Sequence, residues 1–124
     1  MIVSIPKPTR AWLEHCREWI RWHPCCVCWP SVPPGDRTQL RFGARQSEAC
    51  HVEGRGAGGD DWANLIPMCH WHHIMIQHCR GWNEVWPERH PTDGREHALA
   101  LAQAYWDAYV DWCARQPPAE LPAW

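Results

Sequence analysis

The sequence predicts a small α+β fold in which bound zinc stabilises a β-hairpin and a helix, with a further helix on each side. Three observations support this prediction: helical patterns near both ends of the chain, a hairpin pattern in the middle, and two Cys/His pairs with metal-ligand spacing. We expect a single domain, 1–124, because a chain of 124 residues can bury only one core.

The composition is that of a globular chain with many turns and a modest core. It is 45% apolar and 21% charged, and it contains 12 prolines and 8 glycines. The net charge of −2 provides no general attraction for nucleic acid. The N-terminus lacks a secretory pattern and no apolar run is long enough to cross a bilayer, so we expect a cytoplasmic protein with no membrane partner. In that compartment, 8 cysteines indicate metal ligands rather than disulfides.

The first helix is predicted over residues 9–22. Apolar residues recur at spacings of three and four from Trp12 to Ile20, which places them on one helical face. Thr9 can cap the N-terminus, and Pro24 lies just beyond the C-terminus.

The last helix is predicted over residues 93–115 and has the clearest helical pattern. Asp93 and Glu96 have the spacing of a capping box, and alanine, leucine and aromatic residues follow on one face. Pro117 ends the helix, so the segment 116–124 is expected to be a loose tail.

Between these helices the sequence predicts a β-hairpin followed by a helix. Residues 47–53 form the first strand, a glycine-rich loop follows, and residues 64–67 begin the second strand. A short alternating stretch around 40–44 is a further strand candidate. The run Cys69–Arg80 contains no helix breaker, and Gly81 is a suitable stop.

Two pairs of soft or borderline ligands predict a structural zinc site. Cys25 and Cys28 are separated by two residues, and Cys69 and His72 repeat that spacing later in the chain. Each pair can provide half of a tetrahedral coordination shell. Cys26 could replace Cys25, although a single residue between two ligands spans a metal poorly. A zinc ion here would connect the N-terminal segment to the later helix and stabilise a small core.

Four short motifs within residues 23–80 contain the other residues that could carry chemistry. They are the strand sequence 48–52, the glycine-rich stretch 56–61, the segment 64–69 and the histidine pair 72–73. Together they resemble the HNH, or ββα-metal, endonuclease family, and most of all small phage and prophage HNH proteins, some of them linked to recombination. The resemblance implies a ββα-metal core and a metal-dependent endonuclease or nickase that hydrolyses DNA phosphodiester bonds in a bacterial host.

The resemblance also implies a role for three residues. His51 on the first strand would be the general base that activates water. Asn64 would hold the hairpin geometry or orient the imidazole, and His73 on the helix would bind a catalytic divalent cation beside the scissile phosphate.

Because of two departures from the family pattern, the sequence does not determine which metal ion is the catalytic cation. The family often has a second histidine four residues after the equivalent of His73, whereas this chain has Gln77 there and His78 next. Where many members have an aspartate or histidine ligand just before the base, this chain has Cys50, which either binds a softer metal or points into the core. The cation is accordingly expected to be Mg²⁺, Mn²⁺, Ni²⁺ or Zn²⁺.

Arginines near the hairpin are candidates for DNA contacts, above all Arg45 and Arg55. We expect a monomer whose partners are DNA and, from the resemblance, a recombination protein. Most of the 11 tryptophans are expected in the core, among them those on the apolar helical faces and Trp29, Trp71 and Trp82 around the metal ligands, and Trp62 is the candidate for stacking on bases.

Two other functions are compatible with the sequence. A noncatalytic zinc module could keep these residues as a scaffold and bind nucleic acid or a recombination protein. A redox or zinc-storage protein built on the 8 cysteines would instead need accessible cysteines of low pKa.

Overall fold

The computed structural model describes residues 9–36, 47–53 and 63–122 of the chain, and there it combines helices with a two-stranded antiparallel sheet. In chain order the elements are helix α1 (Arg10–Arg21), strand β1 (Glu48–His51), strand β2 (Leu65–Met68), a π-helix (Trp71–His78), a 3-10 turn (Trp82–Glu84), helix α2 (Gly94–Ala114) and a 3-10 turn (Pro118–Glu120). The α+β class is therefore confirmed. The strand candidate around 40–44 lies outside the described residues.

Helix α1 begins where the sequence predicts. The Thr9 hydroxyl accepts a hydrogen bond from the Trp12 N–H at 3.4 Å, so Thr9 is the N-cap. Trp12, Cys16, Trp19 and Ile20 are buried on one face. The spacing of three and four thus produces the expected contact between this helix and the core.

The sheet pairs β1 with β2, and Glu48 lies opposite Met68 while His51 lies opposite Leu65. All of β2 is buried, because it contacts both α1 and α2. Isolated two-stranded hairpins are only marginally stable, so these helices are what keep the hairpin folded. In the described ranges, none of the helices combines the length and apolar character that a membrane span needs.

Aromatic side chains of α1 and α2 form the centre of the core. Tyr109 is fully buried, and its hydroxyl lies 2.8 Å from Nδ1 of His15. Burial raises the pKa of Tyr109, so this hydroxyl remains protonated at every ordinary pH. Trp12, Trp19 and Trp106 are buried around it, as the helical faces predict.

A buried histidine joins α1 to the loop that follows it. The Nδ1–H of His23 donates to the Trp19 carbonyl at 3.0 Å, and its Nε2 accepts from the Gly35 N–H at 3.1 Å. Ser47 donates its hydroxyl proton to the His23 carbonyl at 2.7 Å. Since both ring nitrogens are satisfied in the neutral form, His23 can be fully buried without an uncompensated charge.

The capping box predicted at Asp93 is wrong. Within the described residues, the Asp93 side chain caps no N–H group of α2, and its carboxylate instead accepts from His90 Nδ1 at 3.1 and 3.2 Å. The acceptor for the Gly94 N–H is Asn83 Oδ1, at 3.1 Å. The 3-10 turn packs so closely on this helix end that a Cβ on Gly94 would lie 2.2 Å from the Trp82 carbonyl oxygen. The Asn83 side chain, from the turn Trp82–Glu84, therefore caps α2 in place of Asp93.

The segment 116–124, expected to be a loose tail, contains the turn Pro118–Glu120 in its described part, and Leu121 lies against the core cluster. Helix α2 itself lies within the predicted range 93–115.

The cap of α2 gives a first prediction. Asn83→Ala should destabilise the zinc-loaded protein by about 1 kcal/mol, because the Gly94 N–H loses its acceptor. Asp93→Ala should lower the free energy of unfolding by a smaller amount, since it removes only a surface contact with His90. Urea unfolding followed by circular dichroism measures both changes, and an Asp93→Ala cost equal to that of Asn83→Ala would contradict the assignment.

Candidate metal centre

Cys25, Cys28, Cys69 and His72 converge on one point, with all four ligand atoms within 4.8 Å of one another. The Sγ atoms of Cys28 and Cys69 are 3.8 Å apart. His72 Nδ1 lies 3.2 Å from Cys69 Sγ, 3.4 Å from Cys28 Sγ and 3.7 Å from Cys25 Sγ. The two pairs that are far apart in the sequence therefore meet in space.

These distances fit a tetrahedral zinc ion. With Zn–S bonds of about 2.3 Å and Zn–N bonds of about 2.0–2.1 Å, tetrahedral angles place two sulfurs about 3.8 Å apart and a sulfur and a nitrogen about 3.6 Å apart. The Cys28–Cys69 separation of 3.8 Å and the His72 contacts of 3.2–3.7 Å agree with that shape. A three-cysteine, one-histidine set is a usual structural zinc shell, so the cluster could hold a structural metal such as zinc.

The backbone explains why Cys25, and not Cys26, belongs to the cluster. The Cys26 N–H donates to the Pro67 carbonyl at 2.9 Å, which fixes the cysteine loop on β2. Cys26 then packs in the core beside Cys50, and burial raises its pKa well above the ordinary thiol value. Cys25 and Cys28 are left to face the metal position.

Without a cation, the thiols of Cys25 and Cys28 remain protonated at neutral pH. Partial burial, and then the neighbouring Cys25, raise the pKa of Cys28 to about 12, and burial also raises the pKa of Cys25. Burial lowers the pKa of His72, which keeps its imidazole neutral. A divalent cation would stabilise the thiolates that the protein alone disfavours. A raised pKa is also the opposite of what a redox cysteine requires.

The helix after β2 is a π-helix over Trp71–His78, where the sequence predicts an ordinary helix. Helical winding continues to Arg80 and stops at Gly81, as predicted, and the Gly81 φ of 92° favours glycine. In a π-helix each N–H bonds to the carbonyl five residues back, which brings residues five apart closer to one face than they are in an α-helix. His73 and His78 are five apart, and their ring centroids are 4.8 Å apart at an interplanar angle of 80°.

Glu48 of β1 contacts this helix, and sequence reasoning overlooked it. Its Oε1 lies 2.8 Å from His73 Nδ1, and its Oε2 lies 3.0 Å from His70 Nδ1. The hydrogen bond from His70, followed by that from His73, lowers the pKa of Glu48. The hairpin register is the feature that predicts this contact, because Glu48 pairs with Met68 and therefore lies beside the start of the helix.

Asn64 holds the loop end of the hairpin. Its Oδ1 accepts from the Glu53 N–H at 2.8 Å, and its Nδ2 donates to the Glu53 carbonyl at 2.9 Å. The Val52 N–H donates to the Asn64 carbonyl at 2.9 Å. Of the two roles expected for Asn64, these contacts correspond to the one that maintains hairpin geometry. His51 is the last residue of β1, half-buried beside this clamp.

Cys50 points into the core, which agrees with the second of its two expected placements. It is fully buried, and burial raises its pKa to about 12. Arg45, Arg55 and Trp62 lie outside the described residues.

Two tryptophans that were expected in the core around the metal region are instead exposed. Trp29, next to Cys28, is 50% exposed, and Trp71, next to His72, is 55% exposed. The expectation of burial is therefore wrong for these two residues.

Comparison with family models, curated proteins and solved structures gives no match to this chain. The functional assignment therefore depends on the residues and their geometry.

The cluster gives a second prediction. Cys69→Ser should remove most of the bound zinc and lower the melting temperature, because metal-binding free energy at such a site is also folding free energy. Cys79→Ser is the matched control, since Cys79 is exposed and outside the cluster. Zinc analysis by mass spectrometry and thermal melts with and without EDTA measure both effects. Equal zinc contents in the two variants would refute the ligand assignment.

Proposed function

We propose that this chain is an HNH-type endonuclease or nickase that hydrolyses DNA phosphodiester bonds with a divalent cation. The observation that carries the proposal is the order of the elements: β1 ends at His51, Asn64 clamps the hairpin, and the next helix presents His73. This is the order of a ββα-metal core. The ligand cluster lies at the junction between β2 and that helix.

The proposed reaction needs a base and a cation close together. A phosphodiester and hydroxide are both anionic, so attack is easier when an imidazole deprotonates water in place. His51 is the proposed base. The cation would neutralise the charge that develops on the phosphate and on the leaving oxygen.

His73 and His78 are the proposed protein ligands of this cation. In an ordinary helix, residues 73 and 77 would share a face, and this chain has Gln77 where the family often has histidine. In the π-helix the His78 ring lies against the His73 ring. The altered winding thus supplies a histidine pair despite the shifted spacing. The core position of Cys50 favours oxygen- or nitrogen-preferring cations such as Mg²⁺, Mn²⁺ or Ni²⁺ over a thiolate-bound ion.

The other parts of the proposal concern partners. DNA is the proposed substrate, with Arg45 and Arg55 as phosphate contacts, and the protein is proposed to act as a monomer in a phage-related pathway that can include a recombination protein. The zinc cluster is proposed to be structural, because all four of its positions are filled by protein ligands.

A noncatalytic nucleic-acid-binding module is the second candidate. The observation in its favour is the exposure of Trp29 and Trp71, each of which is next to a ligand of the cluster in the sequence. Indole rings can stack on unpaired bases with about 1–3 kcal/mol per base. Such a module would bind single-stranded DNA and leave it intact.

His51 separates the two candidates. In the endonuclease, His51→Ala should reduce cleavage by about 100-fold or more, because loss of a general base removes that much of the rate. Zinc content and melting temperature should stay unchanged, since His51 is outside the cluster. His90→Ala is the control, as its contacts are with Asp93 and the ring of His97.

The measurement is nicking of supercoiled and single-stranded DNA in EDTA, Mg²⁺, Mn²⁺ or Ni²⁺. Cleavage that His51→Ala retains would rule out this base. Binding of DNA by the wild type, without cleavage under any condition, would establish the noncatalytic module.

The helix winding gives a further prediction. His78→Ala should weaken Mn²⁺ binding and slow cleavage, whereas Gln77→Ala should change both much less. The alternative ligand is the Gln77 side-chain oxygen, which is buried and has no hydrogen-bond partner among the described residues. Electron paramagnetic resonance of free Mn²⁺ measures binding to each variant. A larger loss of Mn²⁺ binding in Gln77→Ala than in His78→Ala would show that residue 77, four residues after His73 as in the family, is the ligand.

A further inference from the structure

Glu48 makes two hydrogen bonds that fix the histidines of the π-helix. One carboxylate oxygen lies 2.8 Å from Nδ1 of His73, and the other lies 3.0 Å from Nδ1 of His70. The two contacts differ in exposure, because the His73 side chain is 16% exposed and the His70 side chain is 71% exposed. The inner contact is therefore the better shielded of the two.

The hydrogen bond to His73 has a chemical consequence at the opposite side of its ring. A carboxylate only accepts hydrogen bonds, so Nδ1 of His73 must carry the proton that is shared with Glu48. In a neutral imidazole the other nitrogen, Nε2, then has the free lone pair. Carboxylates in this position orient ligand histidines and increase their basicity in many metal sites.

Neighbouring residues also contact the ring of His73 itself. His78 packs against the His73 ring in an edge-on arrangement, with centroids 4.8 Å apart. The backbone of Glu48 is held in the sheet, because β1 pairs with β2 at Met68. His73 is therefore contacted by the strand on one side of its ring and by His78 of its own helix.

Glu48 is placed as a partner of His73 rather than as a ligand beside it. Among the described residues, the group of three or more side chains that could hold a metal ion is the cysteine cluster, and neither Glu48 nor His73 belongs to it. Its two oxygens are already occupied by the two Nδ1 atoms.

We propose that Glu48 is a positioning residue, which holds His73 in the tautomer with Nε2 free and so presets that nitrogen to bind a divalent cation. The inference rests on the proposed function, since it takes His73 as a ligand of the catalytic cation.

The first test is the tautomer of His73, measured by long-range ¹H–¹⁵N correlation spectra of the zinc-loaded protein without added second metal. The spectra are recorded at about pH 8, above the ordinary range for an imidazole. The His73→Asn variant identifies the signal. Wild type should show the proton on Nδ1, and Glu48→Ala should shift the population toward the other tautomer. Glu53→Ala is the matched control, because Glu53 lies on the same hairpin and pairs with Arg95 at 2.6 Å.

The second test is Mn²⁺ binding to the same zinc-loaded proteins. Manganese prefers oxygen and nitrogen ligands and leaves the thiolate site to zinc. Glu48→Ala should weaken Mn²⁺ binding by about 10- to 100-fold, the usual effect of losing such a partner, whereas Glu48→Gln should weaken it less because the amide oxygen can still accept from Nδ1. Glu53→Ala should bind as wild type does.

The outcomes separate this inference from the proposed function. An unchanged His73 tautomer in Glu48→Ala overturns the inference, and if Mn²⁺ binding is nevertheless lost, Glu48 is a direct ligand. A shifted tautomer with unchanged Mn²⁺ affinity also overturns it. Wild type that binds Mn²⁺ through His73 but never cleaves DNA would refute the nuclease while leaving the role of Glu48 intact.

Discussion

The convergence of three cysteines and one histidine on a single point is the constraint on which the rest of this structure depends. The sheet has only two strands of four residues each, which is too little for independent stability. The cluster connects the loop Cys25–Cys28 to the segment Cys69–His72 and so closes the chain around that sheet. Because Cys69 directly follows β2 and His72 lies in the first turn of the π-helix, the same four atoms also fix where that helix starts and in which direction it runs.

The π-helix lets one short segment serve two clusters. His72 turns toward the cysteines, while its neighbour His73 turns toward Glu48 of β1. Hydrogen bonding to the fifth residue then brings the His78 ring against the His73 ring. A π-helix is rarer than an α-helix and often marks a functional position. In this chain the winding matters for a specific reason, since an α-helix would move His78 away from His73.

The features that could be predicted from the sequence are those that local spacing determines. Helix α1 follows from its apolar periodicity and Thr9, and the four cluster residues follow from two repeats of one ligand spacing. The features that escaped prediction depend on neighbours distant in the chain. Asn83 caps α2 because another turn packs against it, although Asp93 has the local capping pattern. The role of Glu48 requires the hairpin register, and neither helix winding nor the partners of a buried histidine can be obtained from spacing alone.

The hairpin is fixed at both ends by side chains that bind across it. At the loop end, the Asn64 amide makes two hydrogen bonds to the backbone of Glu53. At the other end, Glu48 binds the helix through His70 and His73. His51 lies on β1 between these two contacts, which restrain its backbone. Under the proposed function His51 would act as a base on a bound phosphate, and such restraint would help it, because small displacements of a catalytic group lower rates steeply. The ligand cluster lies at the start of the helix, and the helix contacts the strand through Glu48, so the candidate metal centre and the proposed catalytic residues depend on the same few contacts.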